Sequence, residues 1–391
     1  MLRELRDGRL AGLTVGGGTV AVFSIRGQQR LLKLFQRLEI PVLETIDNAQ
    51  AFDEVMIVHA DYVFEERVLQ DLAGFHNAAL SIEGESGEQR VVAVVCPAAR
   101  VAHYSNLVEQ GELGNNQSDE DISVLSLNDI SGNFNQRLRK RGQAIVRKVT
   151  PESTRSIERL LFKGSYKGAT DFVTKFVLPE PALVVTRLAA ALRLTPNSVT
   201  FVSLLLVIAT TYLFLKGYFV AGVITGWLMC FLDTVDGKLA RVTLQSSKFG
   251  NLFDHGIDLI HPPFWYAAWA FGVLATAANP DPALMSSVLW IVNGGYVIGR
   301  LVEGYFSRRH KIEIHIWRPI DYWFRHITAR RNPNLVMLTI AALVGAPAIG
   351  LYAIAVWTVV SLIFHFFRTI AAERFAHAEK MTTPLRSWLA E

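Results

Sequence analysis

Cysteine is nearly absent: Cys96 and Cys230 are the only two among 391 residues. Two isolated thiols exclude a disulfide framework and fit a reducing compartment. Paired Cys/His spacings for zinc are missing, as is any RNP-like motif, so no nucleic-acid partner is expected. An excess of charge is missing too, since 39 Lys and Arg against 35 Asp and Glu leave +4. Basic residues must therefore be judged by where they cluster. The opening MLRELRDGRLAGLTVGGGTV holds no uninterrupted apolar core, and a cleaved signal peptide is not expected. Internal repeats and heptad runs are absent as well.

What the chain has is apolar residues, 51% of the total, distributed unevenly. Charges occur throughout the first 185 residues or so, whereas long apolar runs alternate with short charged segments from Val199 to Ala372. The first part reads as soluble and the second as membrane-embedded.

In the soluble part, TVAVF (19–23), PVLET (41–45), EVMIVHA (54–60) and RVVAVVCPA (90–98) read as strands. QQRLLKLFQRL and VFEERVLQDLAGF (63–75) read as helices between them. This alternation predicts a three-layer α/β domain with a mainly parallel sheet over residues 1–150. Residues 107–135, rich in Asn, Gln, Ser, Asp and Gly, read as loop, and the basic run 134–147 as a charged connection. Residues 151–196 mix aromatic and aliphatic side chains with Lys163, Lys167, Lys175 and Arg187, and read as an interfacial amphipathic segment.

Six apolar stretches follow within residues 197–375, at roughly 198–215, 218–235, 252–275, 285–306, 334–351 and 353–371. Each is close to the ~20 residues that cross a bilayer. Nearly all flanking Lys and Arg lie on one side, with Lys216 alone on the other. The positive-inside rule then makes both termini, including a tail at 376–391, cytoplasmic in a multi-pass protein of a bacterial-type inner membrane.

Within the apolar region stands LDTVDGKLARVTLQSSKFGNLFDHGIDLIH (232–261), with four aspartates. A carboxylate in a spanning segment costs roughly 2.5–3.5 kcal/mol on insertion scales. Asp233 and Asp236 share a helix face with Gly237 and Ala240, while Gly250, Asp254 and Asp258 share a face of the next helix. Two antiparallel helices can aim four carboxylates at one point, a donor set suited to two Mg²⁺ or Mn²⁺ ions that clamp a phosphate. The small residues leave room for a substrate, and Arg241 can reach a phosphate oxygen. A set of buried salt bridges is the competing explanation, but only Lys238, Arg241 and Lys248 lie nearby in sequence. A divalent-cation path is the alternative function.

Asp233-x-x-Asp236-Gly237-x-x-Ala240-Arg241, eight residues, then Gly250-x-x-x-Asp254-x-x-x-Asp258 resembles the signature of the CDP-alcohol phosphotransferase family at all eight positions. The resemblance covers about residues 150–375. It implies transfer of a substituted phosphoryl group from a CDP-linked donor, CDP-diacylglycerol or a CDP-linked head group, to an alcohol, with CMP leaving. At least one of the two substrates would be a lipid, and a homodimer is expected. Asp233, Asp236 and Asp254 would hold metal, with Asp258 at the rim of the same metal cluster as general base. Pro196, Asn197 and Thr200 match a helix entry common in that family and become candidate nucleotide contacts, with Asn197 or Ser198 as the helix N-cap in the plainer reading.

The basic loop 307–334 contains Arg308, Arg309, Lys311, Arg318, Arg325, Arg330 and Arg331, which serve topology or bind anionic lipid or a phosphorylated acceptor. Arg300 either pairs with Glu303 or lines the acceptor pocket. The soluble domain loosely resembles nucleotidyltransferases through IVHADYVFEERVLQDL, with Asp61 at the metal position. Its glycines are expected before the first strand rather than after it, so the domain reads as catalytically degenerate and Asp61 as a helix-start residue.

Overall fold

The computed structural model describes residues 9–84, 87–111, 122–378 and 385–390. Two compact units divide the chain: residues 1–166 with Val242–Leu244, and residues 167–241 with 245–391. The segment expected to approach the membrane, 151–196, is thus split at residue 166.

The first unit opens with β1 (Leu10–Val15), followed by the two-residue strands β2 (Ala21–Val22) and β3 (Ile25–Arg26), α1 (Gly27–Arg37) and β4 (Glu54–His59). Next come β5 (Tyr62–Phe64), α2 (Glu66–Leu72), β6 (Ala78–Glu83), β7 (Gln89–Pro97) and α3 (Val101–Gln110). β8 (Ser123–Ser126), α4 (Leu127–Ile130), β9 (Phe134–Asn135), β10 (Lys140–Arg141), β11 (Val146–Lys148) and α5 (Thr154–Gly164) complete it. The main sheet runs β1-β4-β7-β6-β8. Alternate residues of β4 face opposite sides: Met56 and Val58 join α1 and α2 in one core, Val55 and Ile57 join α3 in another. Three layers result, as the period-2 pattern requires.

Several expectations need correction. The sheet is mixed, with β1–β4 and β6–β8 parallel but β4–β7 and β6–β7 antiparallel. The first strand is LAGLTV (10–15) and not TVAVF, which contributes only β2. Gly12, which weakens the strand signal, is needed there, because a Cβ would lie 2.9 Å from the Phe35 ring. PVLET makes a single bridge, Gly12 to Val42. The expected loop 107–135 contains β8 and α4, although residues 112–121 lie outside those described. Cys96 and Cys230 are both free and buried.

The second unit is helical. A π-helical turn (Val173–Val177) leads into α6 (Pro179–Ala191), α7 (Pro196–Leu215), α8 (Phe219–Val242) and α9 (Lys248–Thr276). Then come α10 (Pro282–His310), α11 (Pro319–Arg325), α12 (Arg331–Leu343) and α13 (Pro347–Ala378). Among the described residues, four helices (α7, α8, α10 and α13) are long and apolar enough to cross a membrane. α9 has the length, but Pro262, Pro263, His261 and its Trp and Tyr residues dilute its hydropathy. α12 has 13 residues, about 20 Å at the helical rise, against a hydrocarbon core of ~30 Å. The chain breaks at 344–346 and not after 351, because Gly345 takes φ +70° and Pro347 starts α13. Of the expected tail, 379–384 and 391 lie outside the described residues, while Leu385 packs with Phe306, Ile314, Trp317 and Ala372.

α7 and α9 lie side by side through two glycines. A Cβ at Gly272 would run into the Phe214 carbonyl, and one at Gly250 would sit 2.8 Å from Asn197 Oδ1. Between them, Phe214 stacks edge-on to Trp269 at 4.8 Å between centroids and to Trp265 at 6.0 Å. This contact brings the start of α7 to the polar ends of α8 and α9.

Candidate functional site

The last three turns of α8 and the first three of α9 form the site. Ser247 caps α9, its hydroxyl accepting from Gly250 N–H at 2.9 Å. The cap starts the helix just before the acidic stripe, so Asp254 and Asp258 face back toward α8. Oxygen atoms of Asp233, Asp236 and Asp254 lie within 4.8 Å of one another. Of the four carboxylates that the spacing is expected to converge, these three form one group.

Asp236 is 2% exposed. The Thr200 hydroxyl donates to its Oδ2 across 2.6 Å, while Oδ1 is buried and, among the described residues, receives no hydrogen bond. An orphaned buried carboxylate oxygen beside two further carboxylates is the donor set of a hard divalent cation. Thr200, expected at the nucleotide, therefore orients a carboxylate. Pro196 is the first residue of α7, and the cap is Thr195, accepting from Ser198 N–H at 3.2 Å, and neither Asn197 nor Ser198. Asn197 instead faces Gly250. Gly237 lies under the Arg241 guanidinium, with Nη2 3.1 Å from where its Cβ would be. Ala240 is on the same stripe, two residues before α8 ends.

Asp258 stands apart from the group of three. Arg331, at the start of α12, donates through Nη1 to Asp258 Oδ1 and through Nη2 to Asp233 Oδ2, the latter at 2.6 Å. The charge that compensates the cluster thus comes from 73 and 98 residues away. This corrects the count that considered only Lys238, Arg241 and Lys248. Arg331 is itself held: its Nε donates to Asn332 Oδ1 at 3.1 Å, and Asn332 Nδ2 donates to Asp171 Oδ1 at 3.1 Å. Asp171 is also reached by Thr174 N–H at 3.0 Å and the Thr174 hydroxyl at 2.8 Å. Burial alone would raise the Asp171 carboxyl, but Arg325 and these donors hold it below its ordinary value.

Asn332 and Asp171 had no sequence signal beyond being polar beside apolar runs. His261 did have one, since 254, 258 and 261 continue a single helical stripe. It is 4% exposed, and its Nδ1 lies 2.7 Å from the Ile257 carbonyl.

A second polar cluster forms around Glu303. Arg300 Nη1 lies 3.3 Å from its Oε2, the local pair that the sequence allowed. Arg330 also contacts Oε2, and His315 Nε2 lies 3.4 Å from Oε1. His365 is close enough for the three to form a ligand-like group. Burial holds the His315 imidazole neutral, pushed down to about 3. Arg300, Glu303 and His365 line a cavity of about 20 Å³. Elsewhere Arg309 and His310 face Glu373 at 3.6 and 3.3 Å, and Arg318 covers the Trp317 and Phe375 rings.

Residues 193–327 match the family model of the CDP-alcohol phosphatidyltransferases. The chain carries a CDP-alcohol phosphatidyltransferase domain. Over 185 residues it is 29% identical to archaetidylinositol phosphate synthase of Pyrococcus horikoshii, covering 47% of this chain and 88% of that one. Over 132 residues it is 31% identical to the bifunctional IPC transferase and DIPP synthase of Thermococcus kodakarensis, covering 30% of each. Among solved structures, it is similar to phosphatidylinositol phosphate synthase of Mycobacterium tuberculosis with CDP-DAG bound, at 18% identity and TM-score 0.37, covering 48% of this chain and 92% of that one. A manganese and citrate complex of the same enzyme aligns at 20% identity and TM-score 0.35, covering 48% and 88%. The family model and the curated relatives indicate CDP-alcohol phosphatidyltransferase activity in phospholipid synthesis. That favours phosphoryl transfer over the cation path. The CDP-alcohol phosphatidyltransferase domain contributes all eight signature residues from α8 and α9, whereas Arg331 lies beyond the matched segment.

Proposed function

We propose that the membrane domain transfers a substituted phosphoryl group from a CDP-linked lipid donor to an alcohol acceptor, releasing CMP. The observation that carries this reading is the convergence of Asp233, Asp236 and Asp254, with Asp236 Oδ1 buried and open. Those three carboxylates would hold two Mg²⁺ or Mn²⁺ ions, with Asp258 at their rim. Bound there, the ions would neutralise the donor's phosphates and the charge developing on the transferred group. Arg241 orients a phosphate oxygen across the space that Gly237 leaves. Asp258 accepts the acceptor's proton, within reach of Asp233 through Arg331. Pro196 and Asn197 bring the positive end of α7 to the nucleotide.

A phosphorylated polyol is the acceptor best matched to the half-buried arginines. Arg300 and Arg330 flank Glu303, Arg325 lies near both Glu303 and Asp171, and the Pyrococcus horikoshii relative named above is an archaetidylinositol phosphate synthase. Both termini face the cytoplasm in this reading, and the enzyme works as a homodimer in a bacterial-type inner membrane.

The soluble domain serves no nucleotidyl transfer. The reason differs from the expected one, since Gly16–Gly18 do follow β1. The loop is instead tied to the turn between β4 and β5, Gly18 N–H donating to Asp61 Oδ1 at 2.7 Å, and it holds no Lys or Arg before Arg26. Asp61 is thereby a loop anchor.

The test is CMP release by the purified protein in detergent, with a panel of CDP donors and alcohols and with Asp233→Asn, Asp236→Asn and Asp254→Asn variants. Each variant should lose transfer, and full activity in EDTA would sink the reading. CTP-dependent pyrophosphate release by the same protein would overturn the assignment of the soluble domain.

A further inference from the structure

Arg331 occupies the position where a metal's charge is needed. Its guanidinium reaches Asp233 Oδ2 at 2.6 Å and also Asp258 Oδ1, and its side chain is 17% exposed. Asp233 is one of the three carboxylates whose oxygens lie within 4.8 Å of one another. A cation ligand and a guanidinium partner are therefore the same residue. Asp258 is outside that group of three and, among the described residues, forms an ion pair with Arg331.

We propose that Arg331 is the resident counter-cation of the metal site: it ties Asp233 to Asp258 in the metal-free protein, and a divalent ion binds by displacing it from Asp233 while it stays on Asp258. The inference rests on the reading of the aspartates as a metal site. Three carboxylates converging in a poorly solvated place, with a fourth close by, repel one another strongly unless a cation is present. One planar fork can neutralise two of them at once, which a lysine cannot do. The anchor behind Arg331 lets one prong move without loss of the side chain's place. Nε remains on Asn332, and Asn332 remains on Asp171 and Thr174 at 3.1 and 3.0 Å. Met229 Sδ, 3.9 Å from Nη1, is a soft neighbour that does not hold the group in place. Metal binding and Arg331 position are then linked, and each weakens the other to the same degree.

The linkage is read without turnover, by titrating the full-length protein in detergent with Mn²⁺ and following the free ion by electron paramagnetic resonance. Arg331→Gln should bind Mn²⁺ roughly tenfold more tightly than the wild type, because a like charge has left the site. Its metal-free thermal midpoint should be lower, with a larger rise on saturation by Mn²⁺. Arg331→Lys, the variant to use if the glutamine form does not fold, keeps the charge on one flexible prong and should shift affinity the same way but less. Wild-type or weaker Mn²⁺ affinity in both variants overturns the proposal. Asp236→Asn should abolish binding. If it binds Mn²⁺ like the wild type, the metal-site reading has failed and the role of Arg331 falls with it, a result distinct from failure of the linkage alone.

Discussion

Thr200 on α7 and Asp236 on α8 are joined by a buried hydrogen bond of 2.6 Å, which leaves the other Asp236 oxygen open. Because the hydroxyl fixes which oxygen is presented, Thr200→Val should disorder the site without disturbing the helix packing around it. Removing the donor strands a buried carboxylate oxygen, worth about 1–3 kcal/mol. Transfer rates should fall at limiting Mn²⁺ and recover in part at saturation, with a lower thermal midpoint. An unchanged activation curve would contradict this.

Gly250 is where α9 meets Asn197 of α7. Gly250→Ala places a methyl 2.8 Å from Asn197 Oδ1 and 3.0 Å from Ser247 Oγ, disturbing both the α7 contact and the α9 cap. Overpacking of this kind costs about 1–3 kcal/mol. The expected outcome is a lower thermal midpoint together with a raised KM for the donor. A stable variant with wild-type kinetics would show that the contact is easily relieved.

Asp171 supplies the pH dependence. Its folded value lies below that of a free aspartate because Arg325 and three donors outweigh burial. A carboxyl depressed on folding contributes stability above the unfolded value, about 3.9, and that contribution disappears as pH falls through the folded value. Thermal midpoints should therefore decline below about pH 4. Asp171→Asn should flatten part of that decline and lower the midpoint at neutral pH. An identical pH profile in the variant would exclude Asp171 as its source.

Membrane orientation is testable with cysteines at the helix ends. Lys216→Cys and Pro280→Cys should react with an impermeant thiol reagent from outside intact cells, and Arg308→Cys should not. The reverse pattern would place the aspartates on the far side from a cytoplasmic CDP donor.

The elements legible in the sequence are those whose signal is local. The long helices of the second unit follow from uninterrupted apolar runs. The carboxylate convergence follows from spacings of three and four within one hairpin, because side chains so spaced share a helix face. The break between α12 and α13 has no signal in the apolar pattern, since apolarity continues across it and only the positive φ of Gly345 and the ring of Pro347 end the helix. β1 is hidden for the converse reason: Gly12 depresses strand propensity, while the Phe35 ring that requires it belongs to another element.

The sequence alone therefore determined the helical stripe of Asp233, Asp236, Asp254 and Asp258, because those positions are related by backbone periodicity alone. Tertiary structure decided what surrounds the stripe. It placed Thr200 on Asp236, Asn197 on Gly250 and Arg331 between Asp233 and Asp258, with Asn332 and Asp171 behind. Those partners come from elements up to 98 residues apart. No periodicity links them, and only the packing of α7 and α12 against the hairpin selects them.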